Sequence, residues 1–333
     1  MVWYKSEGEV MEFFKSDKVY DFMGKSKIFF IFSALLILVS WAIVFTKGLN
    51  YGIDFAGGTL VQVKYDKEAP IKEIREAVTK IEQYRSATVT EFGSPDEIVI
   101  KVPTSSSSVA SDIGDEIREL IKDTGNFEVR RVDMVGPKVG DELRTKGLMA
   151  MLLSIIAILI YIAFRFEWRF GVASIFALIH DVSIALGMIA LFAIDVNLDI
   201  LAAILTIMGY SLNDTIIVFD RIREGIRGSK VYDLFKIINE SVTKTLSRTT
   251  LTSLTTFFVV LTLFLFGGEI INGFSFTMLV GIVVGTYSSI FIASPFLKWL
   301  GFDVKDYKLN EARKEKLRVE KEKLRAQYEG GTL

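Results

Sequence analysis

An acid sits inside a run of the chain that reads as a membrane helix. Residues 201–219 are almost wholly apolar, yet Asn213 and Asp214 interrupt them before the end. A carboxylate in a bilayer costs at least ~2.5–3.5 kcal/mol on insertion scales. A group that costly faces a water-filled path or a partner, and it can bind and release a proton. Tyr210, Asn213 and Asp214 share a helical face with Ile217, by i, i+3, i+4 and i+7 spacing. Arg248 opens a later apolar run at the same side, and its long stem lets it meet Asp214 if the two runs adjoin. Thr249, Thr252, Ser253 and Thr256 form a hydroxyl stripe on that run. His180 and Asp181 fall near the middle of a third run, ~15 Å from its inner end. Two acids, a histidine and an arginine in a small bundle suit a proton-responsive path. Each also has a plain structural reading. Asn213 and Asp214 can be an interhelix pair, and the hydroxyls glue between helices. His180 can bond within the bundle, and Arg248 can snorkel to the headgroups.

Composition narrows the chemistry. The chain has 333 residues, is 50% hydrophobic, and has a mean hydropathy of +0.38, so its apolar residues must cluster into spans. It has no cysteine, which excludes disulfides, thiolate metal sites and cysteine nucleophiles. A single histidine excludes a multi-histidine metal centre. Gly57-Gly58 is not followed by a Walker lysine, so no ATP site accompanies the acids, and no cofactor is expected. No hydrolase or transferase set is present, and the expectation is a protein that is not an enzyme. The net charge of -1, with basic residues at span ends, gives no nucleic-acid surface.

A spanning helix needs ~20 mostly apolar residues. Six runs qualify: Ile28–Thr46, Leu148–Phe164, Phe170–Ala193, Ile200–Phe219, Thr249–Phe266 and Phe274–Trp299. The last is long enough to tilt or break, and Gly281 and Gly285 allow close helix approach. The first run lacks a small-residue cleavage pattern, so the N-terminus does not read as a signal peptide. Lys and Arg flank the runs on one side, while residues 194–199 and 267–273 contain neither. Both termini are therefore expected in the cytoplasm of a multi-pass protein in the lipid bilayer. The expected division is a cytoplasmic segment 1–27, a first span 28–46, an outer domain 47–143, spans two to six within 144–301, and a charged cytoplasmic tail 302–333. Residues 220–247 read as a charged, partly amphipathic inner loop lying along the membrane surface.

The outer segment reads as a domain. Residues 60–65 alternate apolar and polar, as a half-buried strand does. Ile71, Ile74, Val78 and Ile81 have helical spacing after Pro70. Residues 88–92 and 97–102 flank Gly93-Ser94-Pro95-Asp96, so they read as a hairpin. A second amphipathic helix follows at Val109–Lys122, entered through Ser105–Ser108, and a last strand at Phe127–Val135. Strand, helix, strand, strand, helix, strand is the ferredoxin-like α+β pattern. The domain shows no pocket or catalytic signature, and its expected role is contact with another protein.

Five stretches together resemble one family. They are Asn50–Thr59 (NYGIDFAGGT), Arg131–Leu143 (RVDMVGPKVGDEL), Leu178–Asp181 (LIHD), Gly209–Glu224 (GYSLNDTIIVFDRIRE) and Ser247–Thr256 (SRTTLTSLTT). In this order they closely resemble the SecF family of the bacterial protein-export machinery, from about Phe22 to Gly301. The resemblance implies an RND-like half-unit of six transmembrane helices. It implies pairing with a homologous SecD-like subunit, association with the SecYEG channel, and use of the proton gradient to draw an unfolded preprotein across the inner membrane. It also implies that Asp214 carries the proton and Arg248 modulates it, with Asn213, Thr215, His180 and Asp181 in the same polar region. The rivals are an RND-type exporter of small molecules or lipids and a purely structural assembly subunit. Six spans with one compact domain argue against the exporter.

Overall fold

The computed structural model describes residues 18–102 and 110–329. The first membrane-length helix is α1 (Ser26–Lys47). A small domain follows: α2 (Ile53–Ala56), β1 (Gly58–Tyr65), α3 (Ile71–Thr79), β2 (Thr88–Phe92), β3 (Ser94–Val102), α4 (Ala110–Ile121) and β4 (Phe127–Val135). The bundle is completed by α5 (Pro137–Arg165), α6 (Trp168–Leu191), α7 (Leu198–Gly228), α8 (Leu234–Phe266) and α9 (Glu269–Ser288). A π-helical turn, Ser289–Ala293, carries α9 into α10 (Ser294–Trp299), and α11 (Val304–Glu329) ends the described chain. Among the described residues, six helices are long and apolar enough to cross a membrane.

The small domain is the expected ferredoxin-like sheet. Its four strands run in the order β2-β3-β1-β4, all antiparallel, with Val61 opposite Ile100 and Val132. Period-2 alternation sends Thr59, Val61, Val63 and Tyr65 to one face, where α3 and α4 cover them with Ile74, Val78, Ile113, Ile117 and Ile121. The hairpin turn is tighter than its sequence suggests. Gly93 alone reverses the chain at φ +78°, and Ser94, Pro95 and Asp96 already belong to β3. The expected entry to α4 through Ser105–Ser108 lies outside the described residues.

The helices outrun their apolar stretches. α5 begins at Pro137, eleven residues before Leu148, because Pro at the first turn and the close approach of Gly140 to Gly57 pack this segment against α2. Residues 220–247 are not a surface loop. They continue α7 to Gly228 and start α8 at Leu234, with Asp233 capping α8 by accepting from the Phe235 amide at 3.0 Å. Ile222, Ile226, Leu234, Ile237 and Ile238 bury themselves in the main core, which is why the charged segment folds into a helical hairpin. The last span does break. Pro295 cannot donate to the carbonyl four residues back, and the helix widens to a π turn there, with Ser294 Oγ donating to Ser289 O at 2.9 Å.

The domain is tied to the bundle at its root. Residues 47–54 run beside 191–198, the end of α6 and the turn into α7. Val196 N donates to Asn50 O at 2.6 Å, Gly52 N to Val196 O at 2.8 Å, and Asn50 Nδ2 to Ala193 O at 3.1 Å. Leu198 N donates to Asp54 Oδ2 at 3.0 Å, and Lys101 pairs with Asp195.

Candidate functional site: a buried polar core among α6, α7, α8 and α9

Asp214 lies midway along α7 and is 1% exposed. It faces α8 and α9 because Ile207, Ser211, Asp214, Thr215 and Val218 form the buried stripe of this helix. Small residues on α9 make the approach possible. A Cβ on Gly281 would lie 2.2 Å from Ile207 Cγ1, and one on Gly285 would lie 2.9 Å from Ser211 Cβ, so both glycines allow the close packing their positions suggested. Asp214 Oδ2 accepts from Ser253 Oγ at 3.2 Å, and Thr286 Oγ1 donates to Ser253 Oγ at 2.7 Å. The partners of this carboxylate are thus hydroxyls from two neighbouring helices, and no cation pairs with it among the described residues.

A second carboxylate lies alongside. Asp181, on α6, is 0% exposed. Its Oδ1 lies 2.8 Å from His180 Nδ1, and its Oδ2 accepts from Ser211 Oγ at 2.5 Å and from Ser288 Oγ at 2.9 Å. Three helices therefore meet at Asp181. His180, 1% exposed, stacks on Tyr287 with centroids 5.9 Å apart, and Tyr287 Oη bonds to Ser33 Oγ at 2.9 Å and donates to Phe29 O at 3.1 Å on α1.

The remaining expected residues divide between the inside and the outside of the bundle. Thr215 is buried beside Asp214. Asn213 is exposed on α7, although Asp214 next to it is buried. Arg248 is exposed on α8 and, among the described residues, makes no ion pair. The two spans do adjoin, yet Arg248 and Asp214 are not paired; the α8 residue that reaches Asp214 is Ser253, just over one turn further on. The hydroxyl stripe of α8 splits in the same way. Thr249, Thr252 and Thr256 donate to carbonyls of their own helix, and Ser253 alone of the stripe bonds across to α7. Residues 206, 209, 213, 248, 252 and 255 form an exposed face of threonines, a glycine, Asn213 and Arg248. Ser211, Thr286 and Ser288 were not singled out from the sequence. Their signal is weak, because a lone hydroxyl in an apolar run usually bonds its own helix.

Known proteins resemble this chain over most of its length. The C-terminal model of the protein export membrane proteins SecD/SecF matches residues 116–303, and the SecD/SecF GG motif matches residues 42–69. The protein translocase subunit SecF of Helicobacter pylori is 50% identical over 323 residues, covering 97% of this chain and 100% of that protein. The chain belongs to the SecF family. The SecF subunit of Vibrio alginolyticus is 45% identical over 294 residues, 88% of this chain and 93% of its own length. The crystal structure of SecDF from Thermus thermophilus, described as a translocon-associated membrane protein, superposes with a TM-score of 0.79 at 36% identity. It covers 87% of this chain, and this chain spans 40% of that one. The GG motif has a conformational cause here. Gly57 and Gly58 sit at φ +73° and +144°, and a Cβ on Gly58 would lie 2.8 Å from Val102 O. As a SecF-family member with six membrane-length apolar helices among the described residues, the chain is a multi-pass membrane protein of the translocase.

Proposed function

We propose that this subunit couples the proton gradient across the inner membrane to the movement of preproteins through the SecYEG channel, in a unit with a SecD-like partner. One observation carries the reading: Asp214 is fully buried midway along α7, and its partners among the described residues are hydroxyls. Hydroxyls can serve a carboxylate as donors and a carboxylic acid as acceptors, so this setting tolerates both protonation states. A salt-bridged acid would be held in one. Protonation removes the buried charge and lets α7, α8 and α9 settle into a different packing, which is population shift by differential affinity. Thr215 lies within the same core. Arg248 modulates Asp214 in a second conformation, in which α8 brings the guanidinium inward.

The exposed polar face supports the partner. Asn213 and Arg248 cannot face hydrocarbon at low cost, whereas the threonines beside them, Thr206, Thr252 and Thr255, donate to carbonyls of their own helices. A homologous six-helix subunit laid against α7 and α8 gives Asn213 and Arg248 partners. The positive-inside pattern supports cytoplasmic termini and an outer ferredoxin-like domain.

Two experiments test these readings. Asp214→Asn keeps the shape and fixes a neutral side chain. In inverted vesicles exporting a reporter protein, the variant is expected to assemble normally and to lose most of the gradient-dependent stimulation, about tenfold or more. Full stimulation at normal subunit levels would leave Asp214 a structural residue. Single cysteines at Lys67 and Lys230 of this cysteine-free chain are expected to label from opposite sides of the membrane. Labelling from one side would overturn the orientation.

A further inference from the structure

His180 Nε2 is fully buried and, among the described residues, has no hydrogen-bond partner. The other ring nitrogen is committed to Asp181, whose second oxygen is committed to Ser211 and Ser288. An unpaired polar atom in this setting is costly, and native cores keep few without a reason. We infer that His180 and Asp181 form a second proton-binding site of the bundle, with Nε2 as the atom that takes the proton.

The chemistry follows from the pairing. With a proton on Nδ1 shared toward Asp181 and none on Nε2, the pair carries one negative charge. A hydronium ion that gives its proton to Nε2 leaves as water, and the pair becomes a neutral imidazolium–carboxylate contact. One proton therefore switches a buried net charge on and off, while the Nδ1–Oδ1 contact stays in place. Ser211 and Ser288 position the carboxylate in both states, since each keeps its hydroxyl on Oδ2.

The groups around the pair limit what else can supply that switch. From α9, Tyr287 lies over the imidazole, with its hydroxyl engaged by α1. From α7, Asp214 and Tyr210 are the titratable groups nearest to Ser211 in the chain. The ionisable residues of α1 are Lys27 and Lys47, at its ends. On α5, Arg165 at the end of the helix is paired with Asp220. Asp214 is thus the one other buried acid among the described residues in these spans. It sits one turn beyond Ser211 on α7, and Thr286 sits two residues before Ser288 on α9. The two acids share the same pair of helices, so a charge at one is felt through the packing and the field at the other. This deepens the proton reading of Asp214 and rests on it for its place in export, although proton binding at His180 is measurable without it.

His180 is the only histidine, so one isotope label isolates it. The full chain, labelled with ¹⁵N-histidine and reconstituted with its unlabelled partner subunit in lipid, is titrated from about pH 5 to about pH 9, the range in which imidazoles change charge. The expected result is a shift of the Nε2 resonance from the unprotonated to the protonated position within that range, with Nδ1 protonated throughout. Asp181→Asn is expected to move that transition and to free Nδ1, and Asp214→Asn to move it without abolishing it. A His180 that holds one protonation state over the whole range overturns the site. The second measurement is gradient-dependent export. His180→Gln vesicles are expected to lose at least half the stimulation and to show a flatter dependence on pH. Unchanged export and an unchanged pH profile overturn the functional role. If Asp214→Asn retains stimulation while His180 still titrates, the Asp214 reading fails and the His180 site stands.

Discussion

Single side chains make up the candidate site, and some lie open in the sequence. Asp214, Asp181 and His180 were visible as charges in apolar runs, because a bilayer makes such residues rare. Their partners were not. Ser211, Ser253, Thr286 and Ser288 carry no charge and obey no spacing that separates a cross-helix bond from a bond to the helix's own backbone. Arg248 and Asn213 show the reverse. Helical spacing put Asn213 on a face with Asp214, but adjacent helical positions diverge by about 100°, and burial chose Asp214 alone. The small domain holds a titration of its own. Burial and the acceptor Glu116 push the Tyr84 hydroxyl up to about 12. A raised pKa means that burial and bonding of the neutral hydroxyl favour the fold fully below the ordinary tyrosine value, and that this contribution fades as pH climbs through the folded value. Wild-type protein is therefore expected to lose stability relative to Tyr84→Phe between about pH 10 and about pH 12. Unfolding of the domain followed by tyrosine circular dichroism checks it, and a pH-independent difference would mean that the folded domain does not hold the hydroxyl neutral.

Helices and strands were legible in kind and less so in length. Period-2 alternation located the strands, and β2 and β4 fall where the pattern put them. Spans were found by hydropathy, which marks where lipid ends and not where a helix ends. Hence α7 and α8 run on through charged residues, since Ile222, Ile226, Ile237 and Ile238 keep the helical period and find a common core. Gly187 was not noticed in the sequence, yet it governs the packing of α1 on α6. A Cβ there would lie 2.4 Å from Ser40 Cβ and 2.7 Å from Ser40 Cα, so the backbone of α1 would have to move. Gly187→Leu is expected to destabilise the bundle by about 1–3 kcal/mol. It should also break the Trp41 Nε1 to Ser183 Oγ bond, now 3.2 Å, and so shift tryptophan fluorescence toward the lipid-exposed value. Unchanged melting and fluorescence would mean that α1 does not sit against α6 as described.

At the scale of the whole molecule, a short joint is among the contacts that tie the helices of the candidate site to the folded domain. Residues 47–54 and 191–198 share the backbone bonds of Asn50, Gly52 and Val196 and a capping carboxylate from Asp54, and Lys101 of β3 pairs with Asp195 beside them. Those elements are the mouths of α6, which carries Asp181, and of α7, which carries Asp214. A change in the tilt of either helix is therefore delivered to the root of the sheet, because β1 starts within a few residues of the joint and Gly57 and Gly58 fix its direction. Nothing in the sequence announced this contact, since the two segments lie far apart in the chain and pair through backbone atoms. The joint can be tested directly. Tyr51 and Val196 form a parallel bridge, and neighbouring strands lie about 4.8 Å apart, within the reach of a disulfide at about 4.4–6.8 Å between Cα atoms. Tyr51→Cys with Val196→Cys is expected to oxidise readily to an internal disulfide, detectable as a linked peptide by mass spectrometry, with no competing thiol in the chain. If the joint moves as one body with α6 and α7, the locked protein keeps its export activity, because the lever is stiffened where it is already stiff. Loss of export that a reductant restores would show instead that the joint opens in each cycle, and the domain would then be driven from some other contact.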